Sequence, residues 1–359
     1  MLHCIPSMGG GGAERQVTYL AAELRRLGWA VHVATSRRGP NWDRLVASGA
    51  TIHEVPLKGR YDLRALWAMR AIVRAVRPQL VQVWMFQMDV LGGTSALMSG
   101  IPWIFSERAS APAYPLTIRN LVRRFLGCCA RAVISNSVAG DAYWQGWARR
   151  RFIVSNGLPL GEIAAAPAIL PHPLGDGGRP LVLFAGRFDP QKNIGVLLEA
   201  LDLVLRRHDV DVLCCGDGPL RADVERWAAS DRGGGGRVVI GGYSTELWGL
   251  MKAATVLVSP ALFEGCPNVV LEGMACGVSL VVSDIPEHRE LLDESAAILV
   301  PAHSAAALAA GIEQALADRP AALGRAQVAK ERASRHSLSA VAREYDAAYR
   351  QVLCGRAGS

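Results

Sequence analysis

Short apolar runs alternate with segments of helical periodicity along the whole chain. Apolar runs such as 80–84, 181–185 and 255–260 have the length of buried strands and are followed by turn-forming or polar residues. Segments such as 63–76 and 194–206 carry apolar residues at helical spacing. This alternation is typical of α/β folds with parallel sheets. It occurs twice, so we predict two doubly wound, Rossmann-like domains that face a central cleft.

A segment rich in Ala, Pro and Gly, residues 164–180, separates the two series and is typical of a linker. We therefore place the first domain at residues 1–168 and the second at residues 175–337. A final helical pattern covers residues 338–353.

The composition indicates a folded protein without a membrane-spanning helix or a disulfide framework. Half of the 359 residues are hydrophobic, which is enough for two cores. No apolar run reaches the roughly 18 residues that span a bilayer, and the first residues do not resemble a signal peptide, so we expect a cytoplasmic protein. The eight cysteines lack zinc or disulfide spacing, which favours reduced thiols.

The charge is uneven. Residues 1–170 carry 20 Lys and Arg against 9 Asp and Glu, although the whole chain has a net charge of only +7. A basic first half indicates an anionic partner. An acidic membrane surface or a phosphorylated acceptor fits, and nucleic acid is the rival.

The most informative stretch follows the apolar run at 255–260. Glu264 is predicted to lie in the loop after this strand, and Glu272 about one turn inside the helix that Asn268 opens. Gly265 and Pro267 keep Glu264 out of that helix. In open α/β sheets ligands bind at the carboxyl ends of strands, and a helix start there offers backbone N–H groups to an anion. This arrangement suits a polyhydroxylated ligand that carries a phosphate.

The pattern Phe-Glu-Gly-x-Pro-Asn-x-x-x-Glu-x-Met-Ala-x-Gly at 263–277 resembles the signature of the retaining family 4 glycosyltransferases, which have the GT-B fold. The resemblance implies a hexosyltransferase-type enzyme without a metal or other cofactor. It would move a sugar from a nucleotide-sugar donor, UDP-linked or GDP-linked with UDP favoured, to a glycan or lipid-linked acceptor with retention of configuration. We expect a place in cell-surface polysaccharide biosynthesis, which is compatible with a peripheral position on the inner face of the membrane.

The same resemblance assigns roles to residues of the second domain, which would bind the donor. Glu264 would hold the donor sugar near its reacting carbon, and Glu272 would bind the ribose hydroxyls. Arg187 and Lys192 match the pair that binds the diphosphate in this family. Together with Glu264, they are the catalytic candidates. Further donor-binding residues would be the backbone of Asn268 and Val269 at the diphosphate, Tyr243 at the base, and Gly216.

The first domain would bind the acceptor, and the last helix, about residues 338–359, would cross back onto it. The corner Gly11-Gly12-Ala13-Glu14 resembles a family element whose backbone approaches the donor pyrophosphate, so Gly11 and Gly12 are also donor-binding candidates. The corner does not match the dinucleotide-binding fingerprint, because Arg15 stands where glycine or alanine is needed.

Two features of the first domain point to the acceptor side. Many family members have a histidine near the end of the strand 103–106, where this chain has Glu107 and Arg108. We treat these two as acceptor-side candidates, with a surface ion pair as the alternative. Residues 117–129 form a basic amphipathic pattern, near a cluster of tryptophan and arginine at 144–151. This pattern is consistent with an anionic membrane surface, or equally with a solvated basic face.

Other functions receive less support. Asp209-Val210-Asp211 is the Asp-x-Asp of metal-dependent transferases, but it opens a predicted strand, and the histidines show no metal spacing, so we expect no metal. A sugar-nucleotide epimerase or a phosphorylase of GT-B architecture is the first rival. A non-catalytic binder of membranes or nucleic acid is the second. Since no nucleic-acid-binding motif is found in the sequence, we expect no nucleic-acid partner.

Overall fold

The structure is a computed structural model that describes residues 1–56, 63–170, 174, 178–230 and 237–354. The chain divides into two compact units, Met1–Gly157 with His336–Ser359, and Leu158–Arg335. The second unit thus begins ahead of the predicted linker. The described part leaves out two pieces of that linker, residues 171–173 (which include His172) and 175–177. It also leaves out residues 355–359 of the predicted last helix.

The first unit is built on a parallel sheet of seven strands in the order β3-β2-β1-β4-β5-β6-β7. The chain moves outward from β1 to β3 and then returns to continue on the other side at β4, as in doubly wound folds. The strands are β1 Leu2–Cys4, β2 His32–Thr35, β3 Thr51–Glu54, β4 Val81–Trp84, β5 Trp103–Glu107, β6 Ala132–Ser135 and β7 Arg151–Ile153.

Helices cover this sheet, and two hydrophobic clusters fill the space between helices and strands. The final helix packs against the first helix, so the C-terminal segment belongs to the first unit. The helices are α1 Gly12–Arg26, α2 Trp42–Ala47, α3 Leu63–Val76, α4 Met85–Met98, α5 Ile118–Cys129, α6 Val138–Ala142 and the last helix of the chain, α15 Leu338–Cys354.

The second unit repeats the plan with six parallel strands in the order β10-β9-β8-β11-β12-β13. Its strands are β8 Leu181–Ala185, β9 Asp211–Cys215, β10 Val238–Gly241, β11 Val256–Ser259, β12 Ser279–Ser283 and β13 Ile298–Val300. Its helices are α7 Leu160–Ala165, α8 Ile194–Arg207, α9 Arg221–Ala229, α10 Leu247–Ala253, α11 Asn268–Cys276, α12 Pro286–Arg289, α13 Ala305–Ala317 and α14 Arg319–Ala333. The predicted fold class, two Rossmann-like parallel sheets, is confirmed.

Local sequence explains the bounds of α11, which carries much of the candidate site. Pro267 immediately precedes the first residue of α11. Proline fits there because backbone N–H groups at a helix start have no partner within the helix, so the N–H that proline lacks is not missed. Gly277 follows its last residue with a φ of 75°, a left-handed conformation that glycine adopts without a steric penalty. The helix therefore begins and ends where the sequence predicts.

The predicted basic face of α5 is only partly correct. Arg123 points into the first unit, with its side chain 4% exposed, and Trp144 is fully buried instead of joining a surface cluster. Several apolar side chains of this segment are exposed to solvent instead. They include Leu116, Ile118, Leu121, Val122 and Phe125. Arg119 remains on the surface, where its guanidinium lies 3.9 Å from the centre of the Phe86 ring.

Within the described residues, no helix is both long and apolar enough to cross a membrane.

A buried histidine gives the first unit a measurable pH response. His3 is fully buried on β1, and its Nδ1 accepts a hydrogen bond of 3.1 Å from the Trp84 indole N–H. Burial lowers the pKa of His3 from 6.5 to about 3. Below pH 6.5 the unfolded chain therefore binds a proton that the folded chain refuses, so stability is lost as the pH falls toward 3.

We expect the wild-type protein to lose about 2 kcal/mol more unfolding free energy than His3→Gln between pH 7.5 and pH 5. Urea unfolding followed by tryptophan fluorescence at both pH values measures this. Burial raises the pKa of Asp89 to about 7, so protonation of Asp89 stabilises the folded state as the pH falls. This gain is common to the wild type and His3→Gln, so the difference between their losses of unfolding free energy reports His3 alone. The exposed His303→Gln serves as the control. Equal losses in wild type and His3→Gln would contradict the assignment.

Candidate functional site

The candidate site of the second unit lies where the strand order reverses. The sheet runs outward from β8 to β10, and the chain then returns to the other side of β8 as β11. The loops after β8 and β11 therefore lie side by side at the carboxyl edge of the sheet. Ligands of open α/β sheets bind at such a switch point.

An ion pair joins these two loops. The Lys192 ammonium group, from the loop after β8, contacts Oε1 of Glu264, from the loop after β11. The side chains are only 17% and 8% exposed. Because both charges are largely removed from water, each depends on the other more than an exposed pair would. The structure thus brings together two of the three predicted catalytic residues.

Arg187, the third, is connected to this pair through Gln191. The Arg187 guanidinium donates to Asp189 at 2.6 Å and to the Gln191 amide oxygen at 3.2 Å. The Gln191 amide nitrogen lies 3.0 Å from the Phe263 carbonyl oxygen and 3.4 Å from Glu264 Oε2. Since the Arg187 side chain is 70% exposed, it keeps donors available to an anion from solvent.

The loop after β8 is fixed by two of its own polar residues. The Asp189 carboxylate accepts from the Lys192 backbone N–H at 3.1 Å and so caps the short 3-10 turn Pro190–Lys192. Asn193 takes a left-handed conformation, and its amide donates to the carbonyls of Pro260 at 3.1 Å and Ala302 at 2.7 Å. These bonds tie the loop to the rest of the carboxyl edge.

Glu272 lies on α11, one turn after Asn268, so the two residues share a face of the helix. It is 2% exposed, and its Oε2 accepts a hydrogen bond of 2.8 Å from the Trp248 indole N–H. Asn268 and Val269 form the first turn of this helix, where backbone N–H groups and the helix dipole favour an anion.

The remaining predicted donor residues of this unit occupy nearby loops. Gly216 follows β9, and a Cβ atom there would lie 1.9 Å from the Gly186 carbonyl oxygen. It therefore allows the loops after β8 and β9 to pack backbone to backbone. Tyr243 follows β10 and is 59% exposed.

Gly11 and Gly12 lie in the first unit, at the start of α1. Gly11 precedes the helix with extended backbone angles, and Gly12 is its first residue. Glu14 folds back under this corner, where a Cβ atom on Gly11 would meet its carboxylate at 2.4 Å. Burial raises the pKa of Glu14, which is 6% exposed. The corner thus presents backbone rather than side chains.

Glu107, an acceptor-side candidate with a surface ion pair as the alternative, lies in the interior of the first unit. It is fully buried at the end of β5, and both carboxylate oxygens accept hydrogen bonds from protein groups. These donors are the backbone N–H groups of Arg108 and Ala109, the Tyr114 hydroxyl, the Trp144 indole and the Arg123 guanidinium. Glu107 therefore holds the strand end together, and neither oxygen faces solvent.

The Arg108 side chain does not lie on the surface beside Glu107. Its guanidinium bonds to the Asn156 side chain and lies 4.9 Å from the centre of the Trp84 ring. It also reaches the Tyr345 hydroxyl of α15 at 3.4 Å. Arg108 thus links the sheet to the last helix, and any contact with an acceptor stays a prediction.

The Asp-x-Asp at 209–211, which leads into β9, forms ion pairs with two arginines. Arg179 Nε lies 2.9 Å from Asp211 and 3.9 Å from Asp209, which is also 3.5 Å from Arg237. In the part of the chain that the structure describes, no three His, Cys, Asp or Glu side chains are grouped as metal ligands would be.

Three residues that the sequence did not single out belong to the site. Gln191 and Trp248 contact the two predicted carboxylates, and His288 is fully buried near the Glu264 and Lys192 charges. The His288 Nδ1 donates to the Ser283 carbonyl at 2.7 Å. Burial lowers the pKa of His288. Spacing could not reveal the contacts of Gln191 and Trp248, because each joins different loops or helices.

Comparison with known proteins decides the family. The family description "Glycosyl transferases group 1" matches residues 179–318, and "Glycosyl transferase 4-like domain" matches residues 11–157. The two matches together cover most of both units. This chain belongs to the group 1, family 4-like glycosyltransferases.

Two named relatives show how far this similarity extends along the chain. The glycosyltransferase chain is 34% identical over 203 residues to phosphatidyl-myo-inositol mannosyltransferase of Mycolicibacterium smegmatis, covering 55% of this chain and 51% of that protein. It is 25% identical over 319 residues to the lipopolysaccharide core biosynthesis glycosyltransferase LpsD of Rhizobium meliloti, covering 87% and 86%. This chain spans about half the length of the mannosyltransferase.

Solved structures agree on the fold. HepE of Anabaena, solved in complex with UDP and glucose, superimposes with a TM-score of 0.85 at 20% identity, covering 98% of this chain and 99% of that one. At this level of identity the match shows that this glycosyltransferase has the same fold.

The Glu107 cluster leads to a stability prediction. Arg123 donates to Asp89 at 3.1 Å and to Glu107 at 2.9 Å, and all three side chains are buried. Removing one partner leaves the remaining buried charge uncompensated. We expect Arg123→Met to lower the unfolding free energy by about 3–5 kcal/mol, measured by urea unfolding. The exposed Arg119→Met on the same helix should change it by less than about 1 kcal/mol. Equal effects would contradict the assignment.

Proposed function

We propose that this chain transfers a sugar from a nucleotide-sugar donor to a glycan or lipid-linked acceptor, with retention of configuration and without a metal. The observation that carries this proposal is the network of Arg187, Gln191, Lys192 and Glu264 at the switch point of the second unit. Membership of the glycosyltransferase family supports the reaction class.

A departing diphosphate needs positive groups that are already in place as its charge grows. Arg187 is exposed enough to approach it, and Lys192 lies in the same loop. The first turn of α11, at Asn268 and Val269, adds backbone N–H groups and the positive end of a helix dipole. Together they supply the fixed charge that our metal-independent mechanism requires.

The two carboxylates would bind hydroxyl groups of the donor. Glu264 would accept from the sugar and stand beside its reacting carbon, where a negative charge favours the positive character of an oxocarbenium-like transition state. Glu272 would accept from the ribose. Trp248 already donates to one Glu272 oxygen, which fixes the direction in which the carboxylate points.

For retention we propose displacement on one face of the sugar. The bond from the sugar carbon to the phosphate oxygen breaks, and the acceptor oxygen bonds to the same carbon. The acceptor hydroxyl proton passes to the departing phosphate oxygen, so no protein base is needed. Arg187 and Lys192 would stabilise the diphosphate during this step.

The relatives support the nature of donor and acceptor. HepE was solved with UDP and glucose, which favours a UDP-sugar over a GDP-sugar here. One relative is named for mannosyl transfer to phosphatidyl-myo-inositol and another for lipopolysaccharide core biosynthesis. We therefore propose a lipid-linked or cell-surface glycan as the acceptor, and a cytoplasmic protein that reaches it at the inner face of the membrane.

A donor screen followed by substitution tests the reaction. A thermal-shift comparison of UDP-, GDP- and ADP-sugars should show a rise in melting temperature with the true donor, because a ligand of the native state stabilises it. With that donor and its acceptor, we expect Glu264→Gln and Arg187→Ala to reduce turnover about 100-fold or more. Product analysis by NMR should show the retained anomer.

The exposed Glu199→Gln of α8 is the matched control and should turn over normally. Conversion of the donor in the absence of acceptor would favour the epimerase instead. Salt-sensitive RNA binding that ignores Glu264→Gln would favour a nucleic-acid binder. Normal turnover in Glu264→Gln would overturn our assignment of the site.

Membrane contact is a separate part of the proposal. Leu116, just before α5, is 92% exposed, and Ile118 and Phe125 of α5 are 82% and 67% exposed. Arg119 lies on the surface of the same helix. An apolar face with neighbouring cations suits the interface of an anionic bilayer.

We expect Ile118→Ser with Phe125→Ser to weaken sedimentation with phosphatidylglycerol vesicles at least several-fold, because less apolar area enters the interface. Leu323→Ser is the control, since Leu323 is 54% exposed in the second unit. Binding to phosphatidylcholine vesicles should be weak for all three proteins. Unchanged sedimentation of the double variant would contradict membrane contact through α5.

A further inference from the structure

Gln191 occupies the middle of the network but has no assigned part in the reaction. It lies in the short turn Pro190–Lys192 after β8, next to Lys192 and four residues after Arg187. Its backbone carbonyl accepts from the Leu262 backbone N–H at 2.9 Å. The backbone of Gln191 thus already joins the loop after β8 to the loop after β11.

The side chain makes a second connection between the same loops. Its Nε2 donates to the Phe263 carbonyl oxygen at 3.0 Å, and the second hydrogen of the group can reach Glu264 Oε2 at 3.4 Å. Its Oε1 accepts from Arg187 at 3.2 Å. Both ends of the carboxamide are therefore in use.

Only one orientation of the carboxamide fits these neighbours. A carbonyl oxygen and a carboxylate accept hydrogen bonds, whereas a guanidinium only donates them. The NH₂ group must therefore face Phe263 and Glu264, and the oxygen must face Arg187. The reverse orientation would place oxygen against oxygen on one side and N–H against N–H on the other.

We propose that Gln191 is a positioning residue for sugar transfer, one that fixes the Glu264 carboxylate and the Arg187 guanidinium relative to each other. This inference rests on the proposed function. Lys192 holds one Glu264 oxygen and Gln191 approaches the other, so the rotation of the carboxylate is restricted from both sides. Misplacing a reacting group by about 1 Å can cost about 100-fold in rate.

A positioning role requires the hydrogen bonds of the amide group, whereas a packing role requires only a side chain of similar size. The glutamate introduced by Gln191→Glu has nearly the same shape, but its carboxylate would offer no donor and would repel Glu264 while attracting Arg187. Gln191→Glu should therefore be more harmful than Gln191→Met, which fills the space without charge. Because donor affinity depends on many other contacts, the loss should fall mainly on kcat and less on KM.

The pH profile supplies a signature that a packing role would not give. As the pH is lowered, the carboxyl group introduced by Gln191→Glu takes up a proton and regains one O–H donor for Phe263 or Glu264. We expect kcat of Gln191→Glu, relative to wild type, to rise at least about three-fold from pH 8.5 to pH 5.5. The kcat of Gln191→Met relative to wild type should not change over the same pH range.

The experiment measures kcat and KM with the confirmed donor and acceptor across this pH range. At pH 8 we expect about 10- to 100-fold loss of kcat in Gln191→Glu and a smaller loss in Gln191→Met. Gln327→Glu is the matched control, because exposed Gln327 also donates to a carboxylate, that of Glu331 at 2.8 Å in α14. It should behave as wild type. Thermal unfolding verifies that each variant is folded. If Gln191→Glu is not folded, a fall in kcat of Gln191→Met with unchanged KM supports the positioning role, and near-normal kcat of Gln191→Met overturns it.

The outcomes separate the positioning role from the proposed function. Near-normal kcat in both Gln191 variants, with Glu264→Gln impaired, would overturn the positioning role and leave the proposed function intact. A loss of kcat that is equal in both variants and independent of pH would reduce Gln191 to packing and would also overturn the inference. Absence of transfer by the wild type with every donor would overturn the proposed function and this inference with it. Full activity of Glu264→Gln would leave sugar transfer in place but overturn the assignment of the site, and this inference would fall with that assignment.

Discussion

The ion pair between Lys192 and Glu264 is the contact on which the candidate site depends. The two residues are 72 positions apart in the chain, and they meet because β8 and β11 are neighbours in a parallel sheet. An ammonium and a carboxylate with little access to water stabilise each other, since either one alone would be left poorly solvated. The pair therefore keeps the two loops together, and Gln191 adds uncharged hydrogen bonds to the same connection.

A buried cation has a comparable effect in the first unit. Arg123 lies between the carboxylates of Asp89 and Glu107, and its guanidinium is also 4.3 Å from the centre of the Tyr114 ring. Because this side of α5 faces inward to satisfy the charge, apolar side chains such as Phe125 face outward. The exposed face that we assign to membrane contact thus follows from an interior requirement of the unit.

Helix ends that depend on a single neighbouring residue could be predicted from the sequence. Pro267 and Gly277 predicted the two ends of α11, because proline interrupts a helix that would run through it and glycine suits a left-handed cap. Helix α4, Met85–Met98, was not predicted, since it is mostly apolar and lacks a polar face to reveal its period. The burial of Arg123 was not predicted either, because its partners Asp89 and Glu107 lie 34 and 16 residues away.

The sequence by itself determined the repeated strand–helix alternation, the family and the candidates Arg187, Lys192, Glu264 and Glu272, because periodicity and a long motif are local properties. Only the tertiary structure decided which groups these candidates contact. Gln191 reaches Glu264 across 73 residues and Trp248 reaches Glu272 across 24. Such hydrogen bonds require atoms to meet within about 3 Å, which depends on strand order and on the packing of loops and helices rather than on spacing along the chain.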